Sequence, residues 1–432
     1  MKIAIIGSGI SGMAAGHFLG EDHEITLYES ASVPGGHTAT IDVSHNGRDY
    51  AIDTGFIVYN DWTYPEFIRL MDELGVANQP TSMSFSVSDK RSGIEYAGSG
   101  LNALFAQRRN LVSPRFLGMV RDILRFNSQV EDHLQTDPRC QEMSLGDYLS
   151  LHGYSTAFRD LYLIPMGAAI WSSGTDVMLN FPLQFFVRFF RNHGLLNIRN
   201  RPQWRVIQGG SRNYIDPLTS RYRQGIELNN PVKAVTRIRT ANGGVKVRVD
   251  SKTGVADFDQ VIFACHSDQA LALLPDASGD ERDILGAIPY TRNEVVLHTD
   301  ERLLPKNRRC WSSWNVALDG EMASTTMTYN MNILQGIQSE DTFCVTLNQT
   351  GEIDESRIKG VFHYDHPLFT EAGIKAQQRW HEINGNRATW FCGAYWRNGF
   401  HEDGVWSARR VAYRIHALKE QSDLFPDLAV AI

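Results

Sequence analysis

The sequence predicts an α/β fold built on a parallel β-sheet, and its N-terminal segment carries most of that prediction. Lys2 to Ile6 is an almost unbroken apolar run, as expected of a strand buried on both faces of a parallel sheet. A glycine-rich turn follows, and Met13 to Leu19 then has the small and apolar residues of a closely packed helix. Glu24 to Tyr28 reads as a second strand, which completes a strand, turn, helix and strand unit.

The turn after the first strand has glycines at the spacing that binds a dinucleotide. Gly7 permits a tight turn, Gly9 lets the main chain approach a pyrophosphate, and Gly12 lets helix and strand pack closely. N–H groups at the start of the helix then face the phosphates. A glycine turn that binds nothing is the alternative interpretation. The predicted contacts are Gly7, Ser8, Gly9, Ile10, Ser11, Gly12, and, after the second strand, Glu29 for the adenosine ribose and Ser30.

Length and composition limit the other possibilities. At 432 residues the chain is too long for one ordinary core, which predicts two packed domains. The formal net charge of −7 indicates neither a nucleic-acid partner nor a strongly anionic membrane. Five cysteines occur singly, which is typical of reduced thiols and not of disulfides or a metal site. Reduced thiols predict a cytoplasmic protein, and we also expect no metal, no signal peptide and no transmembrane segment.

Two motifs after the second strand resemble those of a known family. A glycine pair, Gly35 and Gly36, precedes His37, and a later motif reads Asp53-Thr-Gly-Phe56. With the glycine-rich turn, they resemble the FAD-binding fold of flavin amine oxidases and phytoene-desaturase-like enzymes. That family commonly has an arginine after the glycine pair, where this chain has His37. The resemblance implies FAD as the cofactor and adds these contacts: Gly35, Gly36, His37, Thr38, Thr54, Gly55 and Phe56.

The resemblance continues in later segments of the chain. The strands around residues 232–249 predict a β-meander, in which Val232 matches a family valine that packs against adenine. Ala264 follows the apolar strand that starts at Gln260, which places it beside the FAD phosphates by resemblance. The closing motif contributes Gly393, Gly404 and Val405, and implies a helix that begins at Gly404 with its N-terminus toward the flavin.

The closing motif also supplies the candidate catalytic residues. Phe400 and His401 fall near the family's aromatic cage over the flavin, and Trp396 precedes them. A hydrogen-bonded structural histidine is the alternative for His401. Many amine oxidases carry a lysine that a water bridges to flavin N5, and Asn293 takes the aligned position here. That replacement disfavours an amine oxidase.

Two insertions into the nucleotide-binding fold, residues 63–205 and 279–383, are expected to determine substrate specificity. Two segments of the first insertion stand out. Ile164 to Trp171 is rich in small residues, which fits either a wall against flavin or substrate, or a helix junction. Phe181 to Arg191 is the most aromatic segment. It fits core packing, an apolar tunnel, or a peripheral membrane contact with Arg188 and Arg191 near the headgroups.

The predicted architecture is a Rossmann-like FAD-binding domain (parallel sheet plus β-meander) and a mixed α+β substrate domain, both discontinuous. Residues 1–62, 206–278 and 384–432 are assigned to the first, and residues 63–205 and 279–383 to the second. We expect an FAD-dependent oxidoreductase that transfers a hydride from an organic substrate to flavin N5. The preferred activity is a desaturase or oxidase of an apolar, fatty-acyl or isoprenoid-like small molecule, with dioxygen or another electron acceptor. The alternatives are a flavin amine oxidase and a non-catalytic FAD-bound partner of a lipid-modifying enzyme.

Overall fold

The computed structural model describes residues 1–171, 175–241, 243–318 and 325–424. The strands in chain order are β1 (Lys2–Ile6), β2 (Glu24–Tyr28), β3 (Thr40–His45), β4 (Arg48–Asp53), β5 (Tyr59–Asn60), β6 (Asn78–Thr81), β7 (Phe85–Asp89), β8 (Ile94–Ala97), β9 (Trp204–Ile207), β10 (Ile226–Glu227), β11 (Val232–Arg239), β12 (Val245–Ser251), β13 (Val255–Phe258), β14 (Gln260–Phe263), β15 (Tyr290–His298), β16 (Trp314–Leu318), β17 (Thr325–Asn330), β18 (Cys344–Leu347), β19 (Ile358–Pro367) and β20 (Thr389–Phe391).

The helices in chain order are α1 (Ile10–Leu19), α2 (Pro65–Glu73), α3 (Leu101–Leu104), α4 (Pro114–Thr136), α5 (Leu145–Leu151), α6 (Thr156–Phe158), α7 (Ile164–Trp171), α8 (Thr175–Leu179), α9 (Leu183–Asn192), α10 (Ile215–Thr219), α11 (Ser267–Ala272), α12 (Gly279–Gly286), α13 (Met331–Gln335), α14 (Glu371–Gln378), α15 (Trp380–Ile383) and α16 (His401–Leu424). None of the described helices has both the length and the hydropathy needed to cross a bilayer.

A parallel sheet gathers strands from distant parts of the chain in the order β10, β2, β1, β14, β20. Ile3, Ile5 and the rest of the apolar run in β1 are buried, as expected of a central strand. Helix α1 packs tightly on this sheet, because a Cβ at Gly12 would overlap the carbonyl oxygen of Gly7. The predicted α/β fold with a parallel sheet is confirmed.

A seven-stranded sheet has the order β19, β15, β18, β17, β16, β7, β8. Its pairs are antiparallel except for β7 and β16, which are parallel and place Phe85 beside Trp314. The alternating sequence from Met83 to Tyr96 predicts a hairpin, and β7 and β8 form it. Strands β11, β12 and β13 form the expected meander.

Several sequence-based boundaries differ from the structure. The closing helix was predicted to begin at Gly404, but α16 begins at His401. Ala372 to Ile383 reads in the sequence as one helix, but the structure has two, because the chain turns at Arg379 between α14 and α15. The segment after Ser155 is a short helix followed by a π-helical turn that leads into α7.

The aromatic segment that includes α9 is packed into the protein. Phe185, Phe186, Phe189 and Phe190 are all buried, and the arginines between and after them are exposed. These phenylalanines form part of the helical core of the 63–205 segment. The interpretation of this segment as a membrane contact is therefore wrong, because its apolar side chains are not available at the surface.

Candidate functional site

A cavity of about 990 Å³ has walls from both large sheets. One end is lined by the glycine turn after β1, and the other by strands β7, β16 and β17 with helices α7 and α9. The volume is at the upper end of the roughly 300–1,000 Å³ found for small-molecule sites. It therefore has room for a large ligand.

The glycine turn leaves open space inside this cavity. Gly9 lines it, and a Cβ built on Gly9 would meet no atom within 4 Å. Gly36 lies against Gly9, since a Cβ on Gly36 would be 3.2 Å from the Gly9 Cα. Gly7 has a φ of +102°, which a side chain would strain, and it packs on the main chain of Ala264. The turn thus forms a cradle that a dinucleotide phosphate fits.

Glu29 stands beside this cradle and is held by it. Its Oε2 accepts hydrogen bonds from the N–H of Ser8 (2.9 Å) and from the Ser8 hydroxyl (2.5 Å). Its Oε1 accepts from the N–H of Ala31 (2.8 Å) and the hydroxyl of Ser30 (3.2 Å). Glu29 lines the cavity, so the carboxylate is presented to a ligand in a fixed position.

The predicted site residues divide into a cavity wall and a supporting layer. Those that line the cavity are Gly7, Ser8, Gly9, Ile10, Ser11, Glu29, Ser30, Gly36, His37, Gly55, Phe56, Val232, Ala264, Gly393, Phe400 and His401. Those outside its lining are Gly12, Gly35, Thr38, Thr54, Trp396, Gly404 and Val405.

The supporting layer fixes the distances between the lining segments. Gly35 donates its N–H to the carbonyl oxygen of Ser8 at 3.1 Å, which ties the glycine pair to the first turn. A Cβ on Gly404 would lie 2.7 Å from Ile10 Cγ2, so α16 needs this glycine to approach α1. Trp396 is buried against Tyr395 and has no place in the cavity wall. Its prediction as a substrate contact has no support in this geometry.

His37 lies at the centre of a group of rings in the cavity wall. Its ring centroid is 5.1 Å from that of Tyr364, 5.4 Å from that of His366 and 6.2 Å from that of His266. Burial, and then the neighbouring His366 and His266, lower the pKa of His37 to about 3. The ring is therefore neutral at physiological pH, unlike the arginine that it replaces.

One ring nitrogen of His37 indicates that the cavity binds a polar ligand. Its Nε2 is buried and has no hydrogen-bond partner among the described residues. A buried polar atom without a partner costs free energy, which a bound ligand can recover by hydrogen bonding. The open cradle at Gly9 and this nitrogen together fit a dinucleotide with a polar ring system, such as FAD.

His401 also faces the cavity, at the start of α16. Its Nε2 is 3.3 Å from the hydroxyl of Thr38, and burial lowers its pKa well below the usual range. The next two residues are buried carboxyls. Burial raises the pKa of Glu402 to about 7 and that of Asp403 to about 6. The N-terminus of a long helix thus lies at the cavity wall, where it favours negative charge.

The far end of the cavity is apolar and aromatic. Helix α7 forms one wall there, as one of the two interpretations of its sequence predicted. Ser84 and His193 are polar residues in this wall, and burial lowers the pKa of His193 to about 4, so it too is neutral. The lining side chains are Met83, Phe85, Met166, Ala169, Ile170, Trp171, Phe189, Leu195, Trp314, Tyr329, Leu334, Leu347 and Phe369.

Asn293 is buried behind the histidine cluster and is not part of the cavity lining. Its amide nitrogen lies 3.1 Å from Nδ1 of His366, and its oxygen accepts from the amide of Asn348 at 2.9 Å. Asn293 therefore positions His366, which itself faces the cavity.

Several lining residues were not identified from the sequence. Tyr364 and His366 are two residues apart on β19, so both face the cavity, and His266 follows β14. His363 and Asp365 also line the cavity, so no alternation in the sequence of β19 marks a single face for it. Only the fold shows that this strand meets His37.

Comparisons with known proteins identify a family and several structures with a similar fold. A model of the family described as flavin containing amine oxidoreductase matches residues 10–332. A protoporphyrinogen oxidase-like protein from Exiguobacterium sp. superposes with a TM-score of 0.69 at 18% identity, covering 96% of this chain and 98% of that chain. Cyclohexylamine oxidase from Brevibacterium oxydans gives 0.69 at 14% identity, covering 97% and 99%.

A third similar structure is the CLA-producing fatty acid isomerase from P. acnes, with a TM-score of 0.64 at 14% identity. The alignment covers 95% of this chain and 98% of the isomerase. No curated protein matches the sequence. At these identities the similar structures establish the fold, and the family match covers most of the chain.

Proposed function

The chain belongs to the family of flavin-containing amine oxidoreductases, and we propose that within it this enzyme oxidises or desaturates an apolar chain compound. It is an FAD-dependent oxidoreductase, which disfavours the non-catalytic alternative. The proposed substrate class is fatty-acyl or isoprenoid-like. The observation that carries this proposal is the apolar and aromatic far end of the cavity, which matches a hydrocarbon in polarity.

Charge in the cavity supports the same substrate class. Among the described lining residues, the carboxylates are Glu29, which is bound to the glycine turn, and Asp365 on β19. The apolar far end offers neither to an ammonium group. A charged amine would lose its hydration there without a partner, whereas a hydrocarbon would gain by leaving water.

We propose that FAD is held by the predicted residues that line the cavity, with Glu29 at its ribose and the Gly7 to Gly12 turn at its phosphates. The chemistry that FAD supplies is acceptance of a hydride at N5, followed by reoxidation by dioxygen or another acceptor. Loss of hydrogen from two neighbouring carbons also releases a proton. Burial makes the neutral imidazoles of His37 and His401 weak bases, so either ring would only relay this proton onward, and the apolar walls exclude water.

A true amine oxidase is the second candidate. Tyr395 and Phe400 both line the cavity beside the closing motif, so two aromatic rings could flank an amine there. Cyclohexylamine oxidase and putrescine oxidase are among the similar structures, whereas the fatty acid isomerase favours the first candidate. For either activity we propose a reducing compartment such as the cytoplasm, because all five cysteines are free and four are buried.

The test is an anaerobic reduction screen of the purified holoenzyme. Absorbance before and after acid precipitation would first establish whether the flavin is released. Fatty acids, isoprenoid alcohols, cyclohexylamine and putrescine are then added separately under argon, and bleaching of the flavin is recorded. Bleaching by an apolar chain compound and not by the amines is expected. Bleaching by the amines alone would overturn the proposal in favour of the second candidate.

A further inference from the structure

The cavity has one lysine or arginine among its described lining residues, Arg201. Arg201 follows α9 on a surface loop and is exposed, so it lies where the cavity opens to solvent. Its Nε donates to the carbonyl oxygen of Asn197 at 2.7 Å, which holds the side chain in place. Within the described part of the chain, no carboxylate forms an ion pair with it. Its two terminal nitrogens are therefore available to a ligand.

An aromatic path leads from this opening to the closing motif. Leu195 and Phe189 line the cavity together with Arg201. The ring of Phe189 is 4.7 Å from Trp171 and 5.7 Å from Phe400, measured between ring centroids. Phe400 directly precedes His401 at the start of α16. An elongated apolar molecule could thus extend from Arg201 along Phe189 to the proposed site of oxidation.

We propose that the substrate is a carboxylic acid with a long apolar chain, and that Arg201 binds its carboxylate at the cavity opening. This inference rests on the proposed function and specifies its substrate. A guanidinium pairs with a carboxylate through two parallel hydrogen bonds, which fixes orientation as well as position. Binding at an exposed arginine leaves the carboxylate partly hydrated while the chain is buried, so no unpaired charge enters the apolar end.

The negative net charge of the protein makes Arg201 more important for the binding of an anionic ligand. At −7 the chain as a whole repels carboxylates, and the neutral histidines of the cavity do not compensate. Discrimination in favour of an acid over the matching alcohol must then come from a local cation. Arg201 is the described lining residue that provides one.

The test compares dodecanoate with dodecanol on the holoenzyme. Dissociation constants are measured from perturbation of the flavin spectrum for the wild type, Arg201→Gln, Arg201→Lys and Arg199→Gln. Arg199 is a matched control, because it is exposed on the same loop but does not line the cavity. We expect Arg201→Gln to weaken dodecanoate about tenfold, the order of one hydrogen bond to a charged group. Dodecanol should bind equally to all four proteins, and Arg201→Lys should recover part of the loss.

The outcomes separate this inference from the function on which it rests. If dodecanol binds but Arg201→Gln leaves dodecanoate unchanged, the apolar site stands and the role of Arg201 is refuted. Equal loss in Arg199→Gln would also refute it, since the effect would then be a general change in surface charge. If neither chain compound binds the wild type, the proposed function itself fails. Added salt should narrow the preference for dodecanoate, because exposed charge pairs are screened.

Discussion

The imidazole of His401 stacks on the phenyl ring of Phe56, with ring centroids 3.7 Å apart and an angle of 18° between the planes. Phe67 meets both rings edge-on, at 5.2 Å from Phe56 and 6.0 Å from His401. These rings come from the Asp53 to Phe56 motif, from α2 and from the start of α16. The stack therefore joins three separate segments at the cavity wall, and His401 serves there as a neutral aromatic ring.

The stack predicts how substitutions of His401 affect stability. His401→Phe keeps the ring and loses the 3.3 Å contact with Thr38, so we expect a cost of about 1 kcal/mol, the usual value of one hydrogen bond. His401→Ala removes the ring, and we expect about 3 kcal/mol, at the low end for a buried aromatic residue. Urea denaturation of the holoenzyme measures both. Equal costs would show that the ring contributes nothing.

Gly9→Val should separate cofactor binding from folding. Because a Cβ at Gly9 meets no protein atom within 4 Å, the variant should fold, but its side chain would occupy the cradle. We expect colourless protein with a wild-type circular dichroism spectrum, read from the ratio of flavin to protein absorbance. Gly351→Val is the control, since Gly351 is exposed and its Cβ also has open space. A yellow Gly9→Val protein would remove the turn from the proposed site.

Glu402 should make stability depend on pH. Its carboxylate accepts N–H groups from Glu66 (3.3 Å) and Phe67 (2.9 Å), but burial dominates and raises its pKa to about 7. The folded state then retains a proton that the unfolded chain releases above about pH 4.3, so stability falls as pH rises from there toward 7. Glutamine does not titrate, so Glu402→Gln avoids this loss. When the pH is raised from 5 to 8, we expect its free energy of unfolding to increase by about 2 kcal/mol relative to that of the wild type.

Denaturant titrations at the two pH values measure this gain. The exposed Glu142 gives the control, and Glu142→Gln should follow the wild type at both pH values. If Glu402→Gln and the wild type kept a constant difference across this range, Glu402 would not hold a proton in the folded state.

Local sequence determines some elements of this fold completely and others hardly at all. The bounds of β1 and β2 match their apolar runs, and the glycine turn lies in the cavity, because residues near in sequence fix these features. The hairpin β3–β4 was missed although Asn46 and Gly47 form a typical hairpin turn, both with positive φ. The pairing of β7 with β16 was not predictable, because a propensity for strands does not name a partner strand far along the chain.

The site shows the same limit. His37 was identified by the glycine pair before it. His366 lies close to His37 only because β19 pairs with β15 in the seven-stranded sheet. Trp396 was predicted from its place in the closing motif before Phe400, yet it is buried against Tyr395 and does not line the cavity. A short-range motif indicates which segment approaches a ligand, whereas the direction of each side chain depends on packing.

A buried ion cluster near the closing motif gives the last prediction. Arg237 on β11 bonds to Glu281 at 2.5 Å and to Asp276 at 2.8 Å, and Arg387 bonds to the other oxygen of Glu281 at 2.8 Å. The side chains of Arg237 and Glu281 are only 3% and 2% exposed. Arg237 also donates to the hydroxyl of Thr389 at 3.0 Å, so the cluster fixes the meander to β20.

The two partners should respond unequally to substitution. Glu281→Ala leaves Arg237 paired with the half-buried carboxylate of Asp276, and removal of one partner of a buried pair costs roughly 3–5 kcal/mol. Arg237→Met should cost less, because Arg387 still neutralises Glu281 and the methionine fills the space. The exposed pair of Arg248 and Asp257, 2.7 Å apart, is the control, and Asp257→Ala should cost under about 1 kcal/mol. Equal costs for Glu281→Ala and Asp257→Ala in chemical denaturation would show that burial does not set the strength of this cluster.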